Sequence, residues 1–199
     1  MIIYYSIEEA DNYIELPDDE FDSIIVGLER FVKKLLEEVI KFKGKRVCRI
    51  AFDGYLGVDW DKIISRTLER SSEYKIRLKT FNFLESYNVK LLDEVVERSL
   101  SVDKTFGYIY KGRITELLDR DRVLELRAEL LKGSGEFDGV VCFGPGSANS
   151  MLRREYDIIF YFDVTREALF NGSERKPVYY IGAGGKGCSA PSYEKILLC

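Results

Sequence analysis

The chain has 199 residues, of which 46% are hydrophobic and 32% charged, the balance of a soluble globular protein. Thirty basic and thirty-four acidic side chains give a net charge of −4, which excludes a general positive field for nucleic acid or a membrane surface. Histidine is absent, so histidine-dependent triads and His-ligated zinc sites are excluded. The four cysteines are scattered without CxxC spacing, and we expect reduced thiols and no zinc.

The chain carries no sign of secretion, membrane insertion or division into domains. Its first residues are apolar but lack a basic flank and soon become acidic, unlike a signal peptide. No apolar run approaches the roughly 20 residues that span a bilayer, and no repeat or Pro/Ser-rich linker is present. We expect one cytoplasmic domain over residues 1–199, with 1–21 as an N-terminal extension.

Hydrophobic periodicity predicts alternating helices and strands in the first half of the chain. The 23–42 segment places its apolar residues on one broad helical stripe and ends near Gly44. The predicted elements, in chain order, are a helix at 23–42, a strand at 46–52, a helix at 61–70, a strand within 74–84 and a helix at 91–100.

In the second half of the chain, the apolar pattern predicts a helical region at 114–131, with a break near Asp119–Asp121. Three apolar runs follow this region. These runs, at 139–143, 157–162 and 178–181, are continuous rather than alternating, which is typical of strands buried on both faces. The β-α alternation predicts an α/β three-layer sandwich with a mostly parallel sheet.

Ligands of open parallel sheets bind outside the carboxyl ends of the strands, so the turns that follow the predicted strands are the candidate sites. Four of these turns are distinctive: DGYLGVDWD (53–61), GPGSANS (144–150), DVTRE (163–167) and GAGGKG (182–187).

The first turn has the position of a phosphate-binding loop but not its residues. Aligning Gly57 with the second glycine of GxxxxGK[ST] places Val58 at the lysine and Asp59 at the hydroxyl residue. Asp59 and Asp61 add negative charge at the helix N-terminus, so a phosphate there would need Mg²⁺ or an arginine. Three interpretations stay open: a plain Asp-capped helix, an Asp53/Asp59 site for Mg²⁺ and phosphate, or a sugar-hydroxyl site.

The other turns add backbone donors and cations. Gly144, Gly146 and Ser147 could hold an anion through N–H groups and a hydroxyl, or form a plain turn. Asp163 and Arg166 form either a ligand-binding pair or a local salt bridge. GAGGKG fits GxGxxG, but the twelve residues after Gly187 are too few for a dinucleotide fold, and we expect no NAD.

Four segments carry a family resemblance: strand–DGYLGVDWD–helix, FGYIYKGRITELLD, FDGVVCFGPGSA and YDIIFYFDVTRE. In this order they resemble the N-terminal domain of long-form class I mannose-6-phosphate isomerases, and the resemblance covers residues 22–170. The resemblance implies a P-loop-kinase-like fold and a role in sugar-phosphate metabolism beside a cupin isomerase domain or subunit. The zinc chemistry of that family needs histidines, so this chain cannot catalyse the isomerisation by that mechanism.

We therefore predict a degenerate kinase-like module that binds a nucleotide, such as ATP or GTP, or a sugar phosphate. Asp53 and Asp59 would bind Mg²⁺ or sugar hydroxyls, and Arg166 would neutralise charge. The candidate ligand-binding residues are Gly54, Gly57, Lys62, Gly144, Gly146, Ser147, Arg166 and Lys186.

Two alternatives stay open. In an active kinase, Asp53 would accept the substrate hydroxyl proton, Asp59 or Asp163 would hold Mg²⁺, and an arginine or Lys186 would replace the missing lysine. In an interaction module, the chain would dock on a separate cupin isomerase and bind no small molecule. The sequence leaves the oligomeric state open.

Overall fold

The computed structural model describes residues 23–55, 57–99, 110–132 and 135–163. The predicted strand at 178–181, the GAGGKG turn, Arg166 and Lys186 lie outside these residues. The described helices are α1 (Leu28–Phe42), α2 (Trp60–Glu73), α3 (Val89–Ser99) and α4 (Arg120–Lys132), and the strands are β1 (Cys48–Gly54), β2 (Leu78–Asn82), β3 (Gly139–Phe143) and β4 (Ile158–Phe162).

The described elements confirm the predicted alternation, and boundaries differ by a few residues. The predicted break near Asp119 is also confirmed, since a short 3₁₀ turn at Ile114–Leu117 precedes α4. The Asp119 carboxylate accepts hydrogen bonds from the backbone N–H groups of Asp121 and Arg122, at 3.1 and 3.3 Å. The helix therefore starts anew where an aspartate side chain satisfies its first free donors.

The four strands form one parallel sheet in the order β2-β3-β1-β4. Strand β1 lies between β3 and β4, with Ala51 paired to Cys142 on one side and to Ile159 on the other. The carboxyl ends of all four strands therefore meet at one edge of the sheet, here called the carboxyl edge. The opposite edge is called the amino edge.

Helices cover both faces of the sheet, which gives the predicted three layers. On one face, Leu35 and Val39 of α1 and Ile63 of α2 pack in a core with Ile50 and Val141 of the sheet. A second core packs residues of α3 and α4 against the other face, including Leu92, Val123, Leu130, Val140 and Cys142. The alternation of Val140, Val141 and Cys142 between the two cores follows from the two-residue period of a strand.

The prediction that β4 is buried on both faces is wrong. Ile158, Phe160 and Phe162 pack against the α1 side of the sheet, whereas Ile159 and Tyr161 are 37% and 68% exposed. Among the described strands, β4 is at the end of the sheet. On the buried face of β4, Phe160 and Phe162 contact the ring of Phe31 from α1 edge-on. A continuous apolar sequence therefore does not distinguish a strand buried on both faces from a strand buried on one face.

Candidate functional site

The carboxyl edge brings together two of the turns that the sequence singled out and Asp163, the first residue of a third. The turn after β1, here called the β1 turn, leads into α2. The GPGSANS turn, here called the β3 turn, follows β3, and Asp163 follows β4. Because β1 is paired with both β3 and β4, Asp53 lies between the ends of these two neighbours. This edge is the candidate functional site.

The Asp53 carboxylate holds the β1 and β3 turns together. Its Oδ1 accepts from the backbone N–H groups of Gly54 at 2.8 Å and Gly146 at 2.7 Å, and its Oδ2 accepts from Ala148 N–H at 3.1 Å. Hydrogen bonds to an ionised acceptor are about twice as strong as neutral ones. The sequence left open whether the GPGSANS amides hold an anion or form a plain turn, and in the structure the amides of Gly146 and Ala148 bind a carboxylate of the same chain.

Ser147 does not have the role expected for it, and we correct that prediction. Its side chain is fully buried, and Oγ donates to the carbonyl oxygen of Phe52 at 3.0 Å. Its own carbonyl accepts from the Tyr156 hydroxyl at 3.0 Å. The residue therefore anchors the β3 turn to β1, and its hydroxyl is turned away from a ligand at the edge.

Strand pairing requires glycine at position 54, and the predicted close approach of a ligand to this residue stays a prediction. A Cβ atom at this position would lie 2.5 Å from the carbonyl oxygen of Phe162, its partner in β4. Gly146 is similarly enclosed, with φ of +79° and a hypothetical Cβ 2.9 Å from the Tyr87 hydroxyl. Gly57 and Gly144 also have positive φ, at +91° and +127°, which suits tight turns that other residues rarely form.

Asp59 caps helix α2, which is the plainest of the three interpretations left open by the sequence. Its Oδ1 accepts from the backbone N–H of Lys62 at 3.0 Å. An exposed carboxylate thus lies at the helix N-terminus, where the dipole favours a negative charge. Lys62 is also exposed and is the only basic residue between 53 and 62.

Asp163 is exposed directly after β4. It follows Phe162, which is paired with Gly54, so it lies near the start of the β1 turn. The proposed Asp163/Arg166 pair and the role of Lys186 stay predictions, because their cations lie outside the described residues.

A magnesium ion at this edge would have to share its coordination with a ligand. In the described part of the chain, no group of three or more carboxylate or cysteine side chains is placed to hold a metal ion. Mg²⁺ commonly binds through one or two carboxylates together with substrate phosphates and waters. The exposed carboxylates of Asp59 and Asp163 fit that mode and do not fit a dedicated protein cage.

Sequence reasoning missed the buried hydroxyls that support the β3 turn. Tyr87 donates to the carbonyl oxygen of Pro145 at 2.9 Å, and Tyr156 donates to that of Ser147. Burial raises the pKa of Tyr156, as does its neighbour Cys142. Burial also raises the pKa of the Cys142 thiol to about 12, so both groups stay neutral and act as structural supports. No local pattern marks them, because each contact crosses to another element.

The parallel sheet and the helices on both of its faces make this part of the chain a three-layer α/β domain with a kinase-like fold. It superposes on the crystal structure of a "putative fructose transport system kinase" from Silicibacter sp. TM1040 with a TM-score of 0.51, covering 73% of this chain and 78% of that one. The sequence identity is 12%, so the likeness is one of fold.

The chain belongs to the family described as a domain of unknown function (DUF8485), whose model matches residues 27–184. No curated protein matches it in sequence. Among the described helices, none combines the length and apolarity needed to cross a membrane.

Proposed function

We propose that this protein is a non-catalytic, kinase-like module that binds a nucleotide or sugar phosphate as its Mg²⁺ complex at the carboxyl edge. The kinase-like fold supports this location, because ligands of open parallel sheets bind beyond the carboxyl ends of the strands. The resemblance to the N-terminal domain of mannose-6-phosphate isomerases makes mannose 6-phosphate and fructose 6-phosphate the sugar phosphates to test.

The observation that carries the non-catalytic part is the engagement of backbone donors by Asp53. Phosphoryl transfer depends on positioned donors and cations that neutralise charge on the transferring group. Here the N–H groups of Gly54, Gly146 and Ala148 are bonded to Asp53. A phosphate could use them only by displacing a carboxylate of the chain.

The Mg²⁺ requirement follows from the charges at the same edge. Val58 stands where a phosphate-binding loop has its lysine, and Asp53, Asp59 and Asp163 are acidic. A bare phosphate would meet like charges, whereas Mg²⁺ bridges carboxylates and phosphate oxygens. Binding without metal is therefore expected to be much weaker.

Thermal unfolding tests this proposal directly, because a ligand that binds the native state stabilises it by mass action. The protein should be stabilised by ATP, GTP or one of the two hexose phosphates with Mg²⁺, and much less in EDTA. No transfer of the γ-phosphoryl group to a hexose, nucleoside or water should be detected.

A matched pair of variants locates the effect. Asp59→Asn should reduce the Mg²⁺-dependent stabilisation, whereas Asp61→Asn removes the same charge two residues beyond the cap and should retain most of it. Measurable turnover that Asp53→Asn abolishes would contradict the non-catalytic proposal and favour an active kinase. The absence of stabilisation by all four ligands would contradict the binding proposal and favour the interaction module.

A further inference from the structure

A cavity of about 780 Å³ lies at the amino edge of the sheet, opposite the candidate site. The segments that border it are the α1–β1 connection, the residue before β2, the last three residues of α4, and residues 135, 137 and 138 before β3. Its size is within the range of small-molecule sites, about 300–1,000 Å³. We call it the amino-edge cleft.

The amino-edge cleft concentrates positive charge in a protein that is acidic overall. Six cationic side chains line it: Lys43, Lys45, Arg46, Arg49, Arg77 and Lys132. Three carboxylates balance part of this charge: Asp157 bonds Arg46 at 2.7 Å and Arg49 at 3.4 Å, Asp138 lies 3.8 Å from Lys43, and Glu129 is paired with Lys132. Six cations against these three carboxylates leave a local excess of positive charge.

The net charge of the whole chain conceals this excess. Residues 1–22 contain eight acidic and no basic side chains, so the rest of the chain carries 30 basic against 26 acidic ones. The described residues alone carry 24 basic against 22 acidic side chains, so the part that forms the described fold is also positive on balance. A positive, concave surface with low-dielectric walls focuses the field and attracts anions.

Two of the six cations have no acidic partner among the described residues. Lys45 and Arg77 are exposed, and neither is in any ion pair found in this part of the chain. By contrast, Lys132 is paired with Glu129 of its own helix, and Arg46 with Asp157. Lys45 and Arg77 are thus the cations with charge available to an incoming ligand.

The backbone around the cleft is already fixed, so binding would require little reorganisation. Cys48 N–H donates to the carbonyl oxygen of Asp138 at 3.0 Å, and Asp138 N–H donates to that of Arg77 at 2.8 Å. The Asp138 carboxylate also accepts from Arg77 N–H at 2.8 Å. These bonds hold the α1–β1, β2 and β3 segments together, and a preformed site costs less to occupy.

The lining also contains apolar groups. Val47, Leu130 and Phe137 border the same cavity, and Leu130 is fully buried in the core beneath it. A site with cations and an apolar wall fits an anion that carries an organic body better than a free inorganic ion. Arginine guanidinium groups match phosphate oxygens bidentately.

We propose that the amino-edge cleft binds an organic phosphate, a small molecule with a doubly charged phosphate group and an apolar or aromatic body. Lys45 and Arg77 contact the phosphate, and Val47 and Phe137 contact the body. This inference is independent of the proposed function, because the cleft is at the other end of the strands and needs no metal.

Calorimetric titration of the full chain with 1-naphthyl phosphate in EDTA tests the site, with inorganic phosphate as the comparison. We expect naphthyl phosphate to bind at least several-fold more tightly than inorganic phosphate. The double variant Lys45→Glu/Arg77→Glu should weaken naphthyl phosphate binding at least tenfold. Because both side chains are exposed, the variant should fold normally, and its thermal unfolding checks this.

The control variant Lys90→Glu/Arg113→Glu makes the same change in net charge at exposed positions away from the cleft. It should bind naphthyl phosphate like the unaltered protein. Equal weakening in both double variants would overturn the proposal, since only the net charge would matter. Absence of binding to the unaltered protein, or a preference for a single-stranded oligonucleotide that the cleft variant abolishes, would also overturn it.

The outcome is separable from that of the proposed function. The Lys45→Glu/Arg77→Glu variant should keep the Mg²⁺-dependent stabilisation by nucleotide or hexose phosphate, which depends on Asp59. Loss of both responses in this variant would place the Mg²⁺-dependent ligand in the amino-edge cleft and contradict the assignment of two separate sites.

Discussion

The two edges of the same sheet have opposite chemistry. At the carboxyl edge, the acidic residues Asp53 and Asp163 lie at the ends of β1 and β4, and Asp53 and Asp59 accept from backbone N–H groups of the turns. At the amino edge, cations outnumber the carboxylates, and Lys45 and Arg77 have no described acidic partner. A kinase-like fold therefore does not by itself provide a phosphate site at its usual edge, because side chains of the chain can engage the donors first.

The largest expected loss of stability comes from the close contact of β1 with β4. Gly54→Ala would place a methyl group 2.5 Å from the backbone oxygen of Phe162, which cannot move without separating the strands. We expect a loss of about 2–3 kcal/mol in unfolding free energy, measured by urea denaturation, as for other overpacking substitutions.

Gly139→Ala is the matched control for this prediction. Its added methyl group would approach the end of the Leu78 side chain at 2.9 Å, and that side chain can move aside. The loss should be clearly smaller than for Gly54→Ala. If the two variants were equally stable, the requirement for glycine at position 54 would not come from strand pairing.

The next largest loss of stability is expected when the Asp53 carboxylate is changed. Asp53→Asn keeps the shape but removes the negative charge and one of the two acceptor oxygens that bind Gly54, Gly146 and Ala148. Hydrogen bonds to charged groups contribute about 1.5–3 kcal/mol, so we expect a loss of about 2 kcal/mol in urea denaturation. Asp93→Asn, at an exposed position of α3, should change stability by less than about 0.5 kcal/mol. Equal effects would show that Asp53 does not hold the two turns together.

The smallest effect is a pH dependence at the amino edge. Burial acts to raise the pKa of Asp157, but hydrogen bonds from Arg46 and Arg49 outweigh it and lower the pKa below its ordinary value. A lowered pKa in the folded state stabilises the fold above the unfolded pKa, near 4, and this contribution is lost as the pH falls through the folded value. Asp157→Asn should therefore lose less stability than the unaltered protein as the pH falls below about 4. Parallel curves for the two proteins in acid would contradict this account.

The sequence predicted the features that depend on local patterns. The helix at 61–70, the strand at 46–52 and the cap at Asp59 follow from periodicity and from an aspartate before an apolar helical segment. The capping bond joins residues only three apart, so local sequence is sufficient to find it.

The sequence could not predict which groups engage the turn amides. The bond from Gly146 to Asp53 joins residues 93 positions apart, and Ser147 turns inward to a strand 95 positions away. Both turns were found as candidate sites, but whether their donors face a ligand or the chain itself depends on how the strands are paired. The exposure of Tyr161 depends in the same way on the place of β4 in the sheet.

The central claim is that Asp53 keeps the amides of the β3 turn engaged while a phosphorylated ligand binds elsewhere at the carboxyl edge. Amide hydrogen exchange at Gly146 and Ala148, measured with and without Mg²⁺-ATP or the Mg²⁺-hexose phosphate that stabilises the protein, tests it most directly. The account predicts slow exchange at both amides in both states, and faster exchange without ligand in Asp53→Asn. Fast exchange in the free protein that becomes slow only with ligand would contradict it, because these amides would then bind the ligand phosphate.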